Sequence, residues 1–598
     1  MSLSGGASSP ASPAGSATQP RDARTLRVAL GQCSSAGPKE ENQDFLGARV
    51  PSGRELLLKG IAVAVADGIS SSSVGRIAAE SAIKSFLTDY YATPDSWSVK
   101  TAGHCVVAAA NTWLHAQTRR NHLHEDFDRG FVCTFSALIL KAGHAHVFHV
   151  GDSRIYRIRA GHCERLTSDH RVAVASSETY LNRALGLAVG VEVEYRSVDV
   201  AADDLFVLTT DGVHDHVAPN VLASVVAAES DLDRAASRLV AQALANGSDD
   251  NATVQLLRIE SLPSPDAGSA LELGDTLPPA PLPRVPSEFE GYRVLREIHA
   301  SNRSHIYLAQ CLENGAKVAL KVPSLDMRDD PAYLRRFAME EWIARRVQSP
   351  HVLKAAPSTG PRAHLYVVTE LFEGQTLRQW MLDHRQRDLE TVRHIVEQIA
   401  KGLRGFHRRE MLHQDLRPEN VMIDADGTVK IIDFGAVRVA GVIEAAPNLR
   451  DEPMLGTLQY AAPEYFLGWA GTEQSDQFSL GVIAYELLTG VLPYGADVSR
   501  SRTPKDAARL RYRPADTPAH PVPAWIDAAL RRAVNPDPRK RYEALSEFVT
   551  DLRLPNPDYA RDAMPFAERD PVRFWQLVSA ALAVALIASL IVHAFRAV

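Results

Sequence analysis

Cysteine is scarce in this chain: Cys33, Cys105, Cys133, Cys163 and Cys311 are the only five among 598 residues. They are scattered, odd in number and form no CxxC pair, so neither a disulfide framework nor a cysteine zinc site is indicated. A reducing compartment is the natural reading. Excess positive charge is also missing. With 65 Lys and Arg against 72 Asp and Glu, the net charge is −7, which leaves no electrostatic footprint for nucleic acid. The first 24 residues lack an apolar run behind a basic start, so they are not a signal peptide. They are rich in Ser, Ala, Pro and Gly and read as a disordered tail. Two local absences matter later. Residues 436–455 contain no Ser, Thr or Tyr, and His299–Ser304 (HASNRS) contain no glycine. The length is too great for one core and predicts two to four domains.

The stretch His413–Gly435, HQDLRPENVMIDADGTVKIIDFG, concentrates chemistry. Asp415 is placed to accept the proton of an attacking hydroxyl, and Asn420 and Asp433 to hold magnesium against the phosphates of a nucleotide. Between them the pattern predicts a hairpin: Val421 to Asp424, an Asp426-Gly427 turn, then Val429 to Ile432.

Upstream, from Thr25 to Glu260, short apolar runs alternate with alanine-rich helical stretches. The runs Ile61–Ala66, Phe135–Leu140, Ala145–Val150 and Leu205–Thr209 read as strands. Several runs end in aspartate, at Asp67, Asp152 and Asp211. One Asp-Gly after a strand is an ordinary turn signal. Three strand-end aspartates, with Asp44 in ENQD and Asp250 in DDNAT, predict carboxylates converging at one rim of a sheet. Such a cluster repels itself unless a cation sits within it. Oxygen ligands without His or Cys suit magnesium or manganese.

The ordered pieces ENQD, ADGIS, CTFSALIL, HVGDSR, TSDH, NRALG, TTDGV and DDNAT resemble the PP2C family of metal-dependent Ser/Thr phosphatases over residues 25–260. The resemblance implies an α/β/β/α sandwich holding two or three Mn2+ or Mg2+ ions. It assigns the ions to Asp44, Asp67, the Gly68 carbonyl, Asp211 and Asp250, with Asp152 linked to a third. It also implies in-line attack on phosphoserine or phosphothreonine by hydroxide, available because the metals lower the pKa of water. Two departures stand out. Lys39 occupies the place of the arginine that holds the substrate phosphate, keeping the charge but losing the bidentate fork. Ile69-Ser70-Ser71-Ser72-Ser73 replaces a glycine run, and serines adopt unusual backbone angles less freely. Because Ile69 follows the Asp-Gly, no histidine acid is present there, and the leaving group takes its proton from water.

Residues 261–289 are dense in proline and read as a semi-extended linker. Beyond them, residues 290–555 resemble a protein kinase with its bilobal fold. Val318-Ala319-Leu320-Lys321 matches the strand whose lysine contacts the ATP phosphates. Glu340, rather than Glu341, fits the helix glutamate that pairs with it. Tyr366–Gly374 resembles the adenine-gripping hinge and places Glu370 and Phe372 at the nucleotide. HQDLRPEN and DFG follow, then Gly456-Thr457, Ala462-Pro463-Glu464, Asp476, Ser479-Leu480-Gly481 and Arg541, with Glu464 paired to Arg541. Arg417 stands for the lysine that contacts the transferring phosphate, which favours Ser/Thr substrates.

The departures bear on control. Gln414 replaces the arginine that receives an activation-loop phosphate, and residues 436–455 offer no phosphoacceptor. Both imply a kinase not switched on by phosphorylation inside that loop. The glycine-free His299–Ser304 implies impaired cradling of ATP phosphates by backbone amides.

At the end of the chain, Phe574–Val592 carries no charge and is long enough to cross a bilayer. It resembles a tail anchor, read as a transmembrane helix over 573–593 after a juxtamembrane segment at 556–572. Arg561, Arg569 and Arg573 precede it and Arg596 follows, which orients the catalytic halves toward the cytoplasm at the cell inner membrane. The expectation is an α+β multidomain, membrane-tethered enzyme. Its two activities are a protein Ser/Thr kinase using ATP and Mg2+ and a metal-dependent phosphatase, both acting on protein substrates. Self-association is left open. The alternative is an active phosphatase whose kinase-like half is a nucleotide-binding or regulatory scaffold.

Overall fold

A computed structural model describes residues 25–120, 130–175, 178–263, 277–357, 359–445, 459–516, 521–557 and 571–596. The side chains of 173–175, 178–180, 571 and 588–596 are outside that description. The predicted tail, Gly456, Thr457, the loop from 446 to 458 and most of the juxtamembrane segment therefore lie outside the described residues. The chain divides into two compact units, one built chiefly on residues up to Leu271 and the other on residues from Glu272.

The first unit contains β1 (Arg27–Ser35), β2 (Asp44–Arg49), α1 (Gly53–Lys59), β3 (Ile61–Asp67), α2 (Gly75–Ala92), α3 (Val99–Arg120) and β4 (Phe135–Lys141). It continues with β5 (His144–Val150), β6 (Arg154–Arg159), β7 (His162–Arg165), β8 (Arg171–Ala175), β9 (Glu178–Leu181), β10 (Glu194–Asp199) and β11 (Leu205–Thr209). It closes with α4 (Asp211–His214), α5 (Pro219–Ala228), α6 (Leu232–Ala245) and β12 (Ala252–Ser261). Two five-stranded sheets form, β1-β12-β11-β6-β7 and β10-β5-β4-β3-β2. All their ladders are antiparallel.

Period-two patterning explains how they stack. Along β3, Ile61, Val63 and Val65 point into an apolar layer shared with Leu138 and Val147 of the same sheet and Phe206, Leu208, Leu257 and Ile259 of the other. The alternate residues Ala62, Ala64 and Ala66 are equally buried. They face the other way, and their small size lets α2 lie close. On the far side of the other sheet, α5 and α6 bury Leu222, Val226, Ala235, Leu239 and Ala243 against β11 and β12 residues. Gly31 in β1 permits this: a Cβ there would lie 2.2 Å from the Leu232 backbone. The result is helices, sheet, sheet, helices.

The second unit opens with an antiparallel sheet, β13 (Ser287–Phe289), β14 (Tyr292–Ala300), β15 (Ser304–Cys311), β16 (Lys317–Pro323) and β17 (Val367–Glu370), in chain order. Tyr292, Val294, Tyr307, Ala309, Val318, Leu320, Tyr366 and Val368 form its core. Helix α7 (Pro331–Arg346) starts at Asp330, whose carboxylate caps the amides of Ala332 and Tyr333. The larger lobe is helical, around Leu389–His407 and the almost wholly buried Glu473–Thr489.

Part of the predicted linker is not a tether. Pro279 pairs with Leu365, the Ala280 amide donates to Leu365 O at 3.1 Å, and Ala280 is fully buried in the sheet's core. Residues 277–289 are therefore an extra edge of this unit, because their few apolar side chains complete its core. The remainder of the linker, 264–276, lies outside the described residues. A helix spans Pro571–Arg596, covering the predicted anchor. Among the described residues, no helix is long and apolar enough to cross a membrane.

Candidate functional site

In the first unit, β2 and β3 pair with Asp44 directly opposite Asp67. Like charges in that relation oppose pairing. Asp211 begins α4 just beyond β11, and Asp250 lies just before β12. Both stand at the same end of their ladder, since Thr209 pairs with Val254. Asp152 lies in the link from β5 to β6. The topology thus brings all five carboxylates to one rim of the sandwich, with Asp44 and Asp152 buried.

The electrostatics fit a cation. Burial pushes the Asp44 carboxyl up to about 7, against hydrogen bonds from Thr253 and Thr210, with Asp211 and Asp250 adding to the rise. Burial, then Asp44 and Asp211, push Asp67 well above the usual carboxylate range. Burial, then Asp152 and Asp250, push Asp211 to about 6. Thr210 Oγ1 donates to Asp44 Oδ2 at 2.8 Å, while Asp44 Oδ1 and Asp211 Oδ1 are buried with no hydrogen-bond partner. Orphaned carboxylate oxygens at one rim are what a hard divalent ion satisfies. A Cβ at Gly68 would lie 2.3 Å from the Gly75 backbone, so only glycine lets the chain leave Asp67 packed against the start of α2.

Metal uptake at this rim is expected to release protons. Mn2+ affinity rises between pH 6 and pH 8, and calorimetry in two buffers of different ionisation enthalpy counts the protons. Without added metal the sign for stability is the reverse. The rim carboxyl of Asp44 binds more protons in the folded chain than in the unfolded one between about pH 4 and about pH 7, so its contribution to stability falls as pH rises through that window, while His146, His149 and His214, kept neutral by burial, contribute with the opposite sign. A flat Mn2+ affinity across this range would contradict the reading.

Lys39 does not stand free at the rim. Its ammonium is held by Asp250 and by Ser70 Oγ, the latter at 2.8 Å. The serine loop needs no special backbone, since none of Gly68 to Ser73 has a positive φ. Ser72 Oγ donates to Gly130 O at 2.7 Å and pins it. Asp152 Oδ2 accepts from Arg171 Nε at 2.5 Å.

Several contributors were not singled out from sequence. Asn251 accepts from the Gln43 amide and donates to Ala36 O and Glu41 O, fastening ENQD to DDNAT. Thr134 Oγ1 accepts from the Asp67 amide. Arg171 joins Asp152, Asp211 and Asp215. Asn251 and Thr134 sit inside matched pieces, the only signal available. Arg171 directly follows TSDH and gave none.

In the second unit Lys321 Nζ lies 2.6 Å from Glu340 Oε2 and 3.9 Å from Asp433 Oδ1. Burial opposes the lysine's charge, but Glu340 and then Asp433 outweigh it and hold Lys321 protonated. Glu341 turns away to Arg345 and Arg362. Asp433 is kept ionised against burial by Lys321 and by the Gly435 amide at 3.1 Å. Asn420 Nδ2 donates to Asp415 Oδ2 at 3.0 Å and to Asp415 O at 2.8 Å. The hairpin that joins Asn420 to Asp433 pairs Val421 with Ile431 and Ile423 with Val429.

Gln414 adopts φ +64. Asp476 supports this turn by accepting from the His413 amide at 2.9 Å and the Gln414 amide at 3.0 Å, with His407 Nε2 also on it at 2.9 Å. Arg417 Nε lies 3.5 Å from Glu419 Oε2. At the hinge, the Glu370 carboxylate takes Lys430 Nζ at 2.7 Å, and the same ammonium lies 5.0 Å from the centre of the Phe372 ring. Glu370 and Phe372 therefore meet through Lys430.

The glycine-free turn is self-satisfied. Ser301 Oγ accepts from the Ser304 amide at 3.1 Å and the Arg303 amide at 3.3 Å. Ser324 Oγ holds Asn302 O and Tyr333 Oη holds Arg303 O. Amides used in this way are not turned toward a phosphate.

Arg541 and Glu464 form a buried fork, Nη1 to Oε1 at 2.7 Å and Nη2 to Oε2 at 2.8 Å. Arg541→Ala strands the carboxylate in a dry site and is expected to cost about 3–5 kcal/mol. The urea midpoint of this unit measures it, and an unchanged midpoint would refute it.

Two constellations of the phosphoryl-transfer type are thus present, one in each unit. Residues 292–550 match the protein kinase domain, and residues 34–253 match protein phosphatase 2C. The chain is a fusion of these two domains. Similar relatives include serine/threonine-protein kinase PrkC of Bacillus subtilis, 28% identical over 267 residues, covering 44% of this chain and 40% of that protein. PknA of Corynebacterium glutamicum is 31% identical over 271 residues, covering 44% of this chain and 56% of PknA. The chain thus spans about half the length of these relatives. Among solved structures, the Mycobacterium tuberculosis phosphatase PstP/Ppp aligns at 21% identity with a TM-score of 0.34, covering 40% of this chain and all of that one. PppA of Pseudomonas aeruginosa aligns at 20% identity with a TM-score of 0.34, covering 40% and 99%.

Proposed function

We propose that this chain is a bifunctional enzyme of reversible protein phosphorylation, a Ser/Thr protein kinase and a metal-dependent Ser/Thr phosphatase. One observation carries it: the orphaned carboxylate oxygens of Asp44 and Asp211 occur in a chain that also assembles Lys321, Glu340 and Asp433. In the phosphatase, Asp44, Asp67, the Gly68 carbonyl, Asp211 and Asp250 would hold two Mn2+ or Mg2+ ions, which supply Lewis acidity and an activated water when bound. Lys39 then serves the substrate phosphate, once drawn from Asp250. In the kinase, Lys321 would hold the ATP phosphates, and Asn420 and Asp433 would hold Mg2+, which supplies charge neutralisation when bound. Asp415, oriented by Asn420, takes the proton of the attacking hydroxyl, and Arg417 steadies the phosphate being transferred.

A second reading is favoured by the Ser301 turn, in which the kinase domain binds nucleotide or partners without turnover. The full chain with labelled ATP and manganese, beside Asp433→Asn and Asp67→Asn versions, separates the two. Label on the Asp67→Asn protein that vanishes with Asp433→Asn supports the kinase. No label on the Asp67→Asn protein supports the second reading.

The helix Pro571–Arg596 is proposed as a single-pass anchor at the cell inner membrane, with both domains cytoplasmic. The uncharged run Phe574–Val592 and the exposure of Trp575, Leu577, Leu582, Val584, Leu586 and Ile587 support this. Sedimentation with membranes that survives alkali, and is lost when the chain ends at residue 570, is the expected result.

A further inference from the structure

The carboxylate rim holds a fixed positive charge. Arg171 opens β8, and each of its three guanidinium nitrogens meets a different carboxylate. Nε lies 2.5 Å from Asp152 Oδ2, Nη2 lies 3.0 Å from Asp211 Oδ2, and Nη1 lies 3.3 Å from Asp215 Oδ2. Asp211 is therefore divided. Its Oδ2 is spent on Arg171, while its Oδ1 is buried without a partner, as is Asp44 Oδ1. The cluster has two halves: oxygens already served by a guanidinium, and oxygens still lacking a partner.

Three carboxylates converging on one point call for a cation between them. A guanidinium meets that need with a charge that does not depend on the metal supply. It also bars a divalent ion from the same spot, since it repels the ion and has no lone pair to offer it.

Resting on the metal-dependent phosphatase reading, we propose that Arg171 is a built-in cation of this site. It takes the place of one divalent ion among Asp152, Asp211 and Asp215, and confines metal binding to the half formed by Asp44, Asp67, Asp211 Oδ1 and Asp250. Asp152 is then a partner of Arg171 and not a metal ligand. Arg171 is a positioning residue: it fixes the Asp211 carboxylate with Oδ1 turned to the metals.

The test counts Mn2+ on the full chain by calorimetry and by electron paramagnetic resonance. All proteins carry Asp433→Asn, so that the kinase domain adds no ion there. The parent is compared with Arg171→Gln, Arg171→Ser and Arg171→Lys. Removing the charge is expected to admit about one further Mn2+ per chain. It should also lower the melting temperature in chelator, where Asp152 and Asp211 lose the guanidinium paired with them and Asp215 is left with Arg154. Arg171→Lys should keep the parent stoichiometry. Unchanged stoichiometry in both neutral variants, loss of the parent's Mn2+ in them, or an added ion in Arg171→Lys as well, would each overturn the proposal. A parent that binds no Mn2+ would overturn the metal-dependent reading itself, which is a distinct result.

Discussion

The chain carrying Asp67→Asn together with Asp211→Asn is expected to hydrolyse p-nitrophenyl phosphate in manganese at the background rate. Asp67 ends β3 of one sheet and Asp211 begins α4 just beyond β11 of the other, so the double change removes a carboxylate from each side of the rim. Loss of metal-assisted catalysis removes several kcal/mol of transition-state stabilisation, and about 4 kcal/mol already corresponds to ~10³ in rate. The protein should not unfold as a result. Burial and mutual repulsion push both carboxyls upward, so neutral asparagine imitates the form that the fold prefers without metal. Its melting temperature in chelator should equal or exceed that of the parent. Manganese-dependent hydrolysis that survives the double change would sink the phosphatase assignment.

The second large effect is expected at Asp415. In a background silenced by Asp67→Asn, Asp415→Asn should lower transfer of label from ATP by about 10²–10⁴-fold, the range for losing a general base. The silenced background matters because an active phosphatase erases the product being measured. Asn420 donates to Asp415 O as well as to its carboxylate, so the loop keeps its shape with asparagine at 415. Nucleotide affinity should then stay within a few-fold of the parent, and the loss should fall in turnover. Label transfer at the parent rate would refute the role. A loss shared equally by nucleotide binding would place Asp415 in structure and not in chemistry.

Much of this was legible in the residues. The four apolar runs are strands because alternation and β-branched content decide them locally. The hairpin between Asn420 and Asp433 was legible because Asp426-Gly427 is a turn signal that acts alone, with Gly427 at φ +80. Glu340 was separable from Glu341 by its spacing, and the structure sends the two carboxylates to different partners. Residues 277–289 were misread as linker, because proline density says nothing of whether Ala280 and Leu282 find a core to enter.

The sequence by itself determined which residue types are available and in what order: carboxylates at strand ends, a lysine and a glutamate in the kinase pattern, and loops stripped of glycine and of phosphoacceptors. These follow from residue type and order along the chain. Only the tertiary structure decided how the charges pair. Asp44 opposes Asp67 through a ladder, Asp211 is shared between Arg171 and an open side, Lys39 is held by Asp250, and Ser301 consumes its own loop's amides. Those are contacts between residues mostly far apart in the chain, so the side chains that win each partner are settled by packing and burial, which no local pattern records.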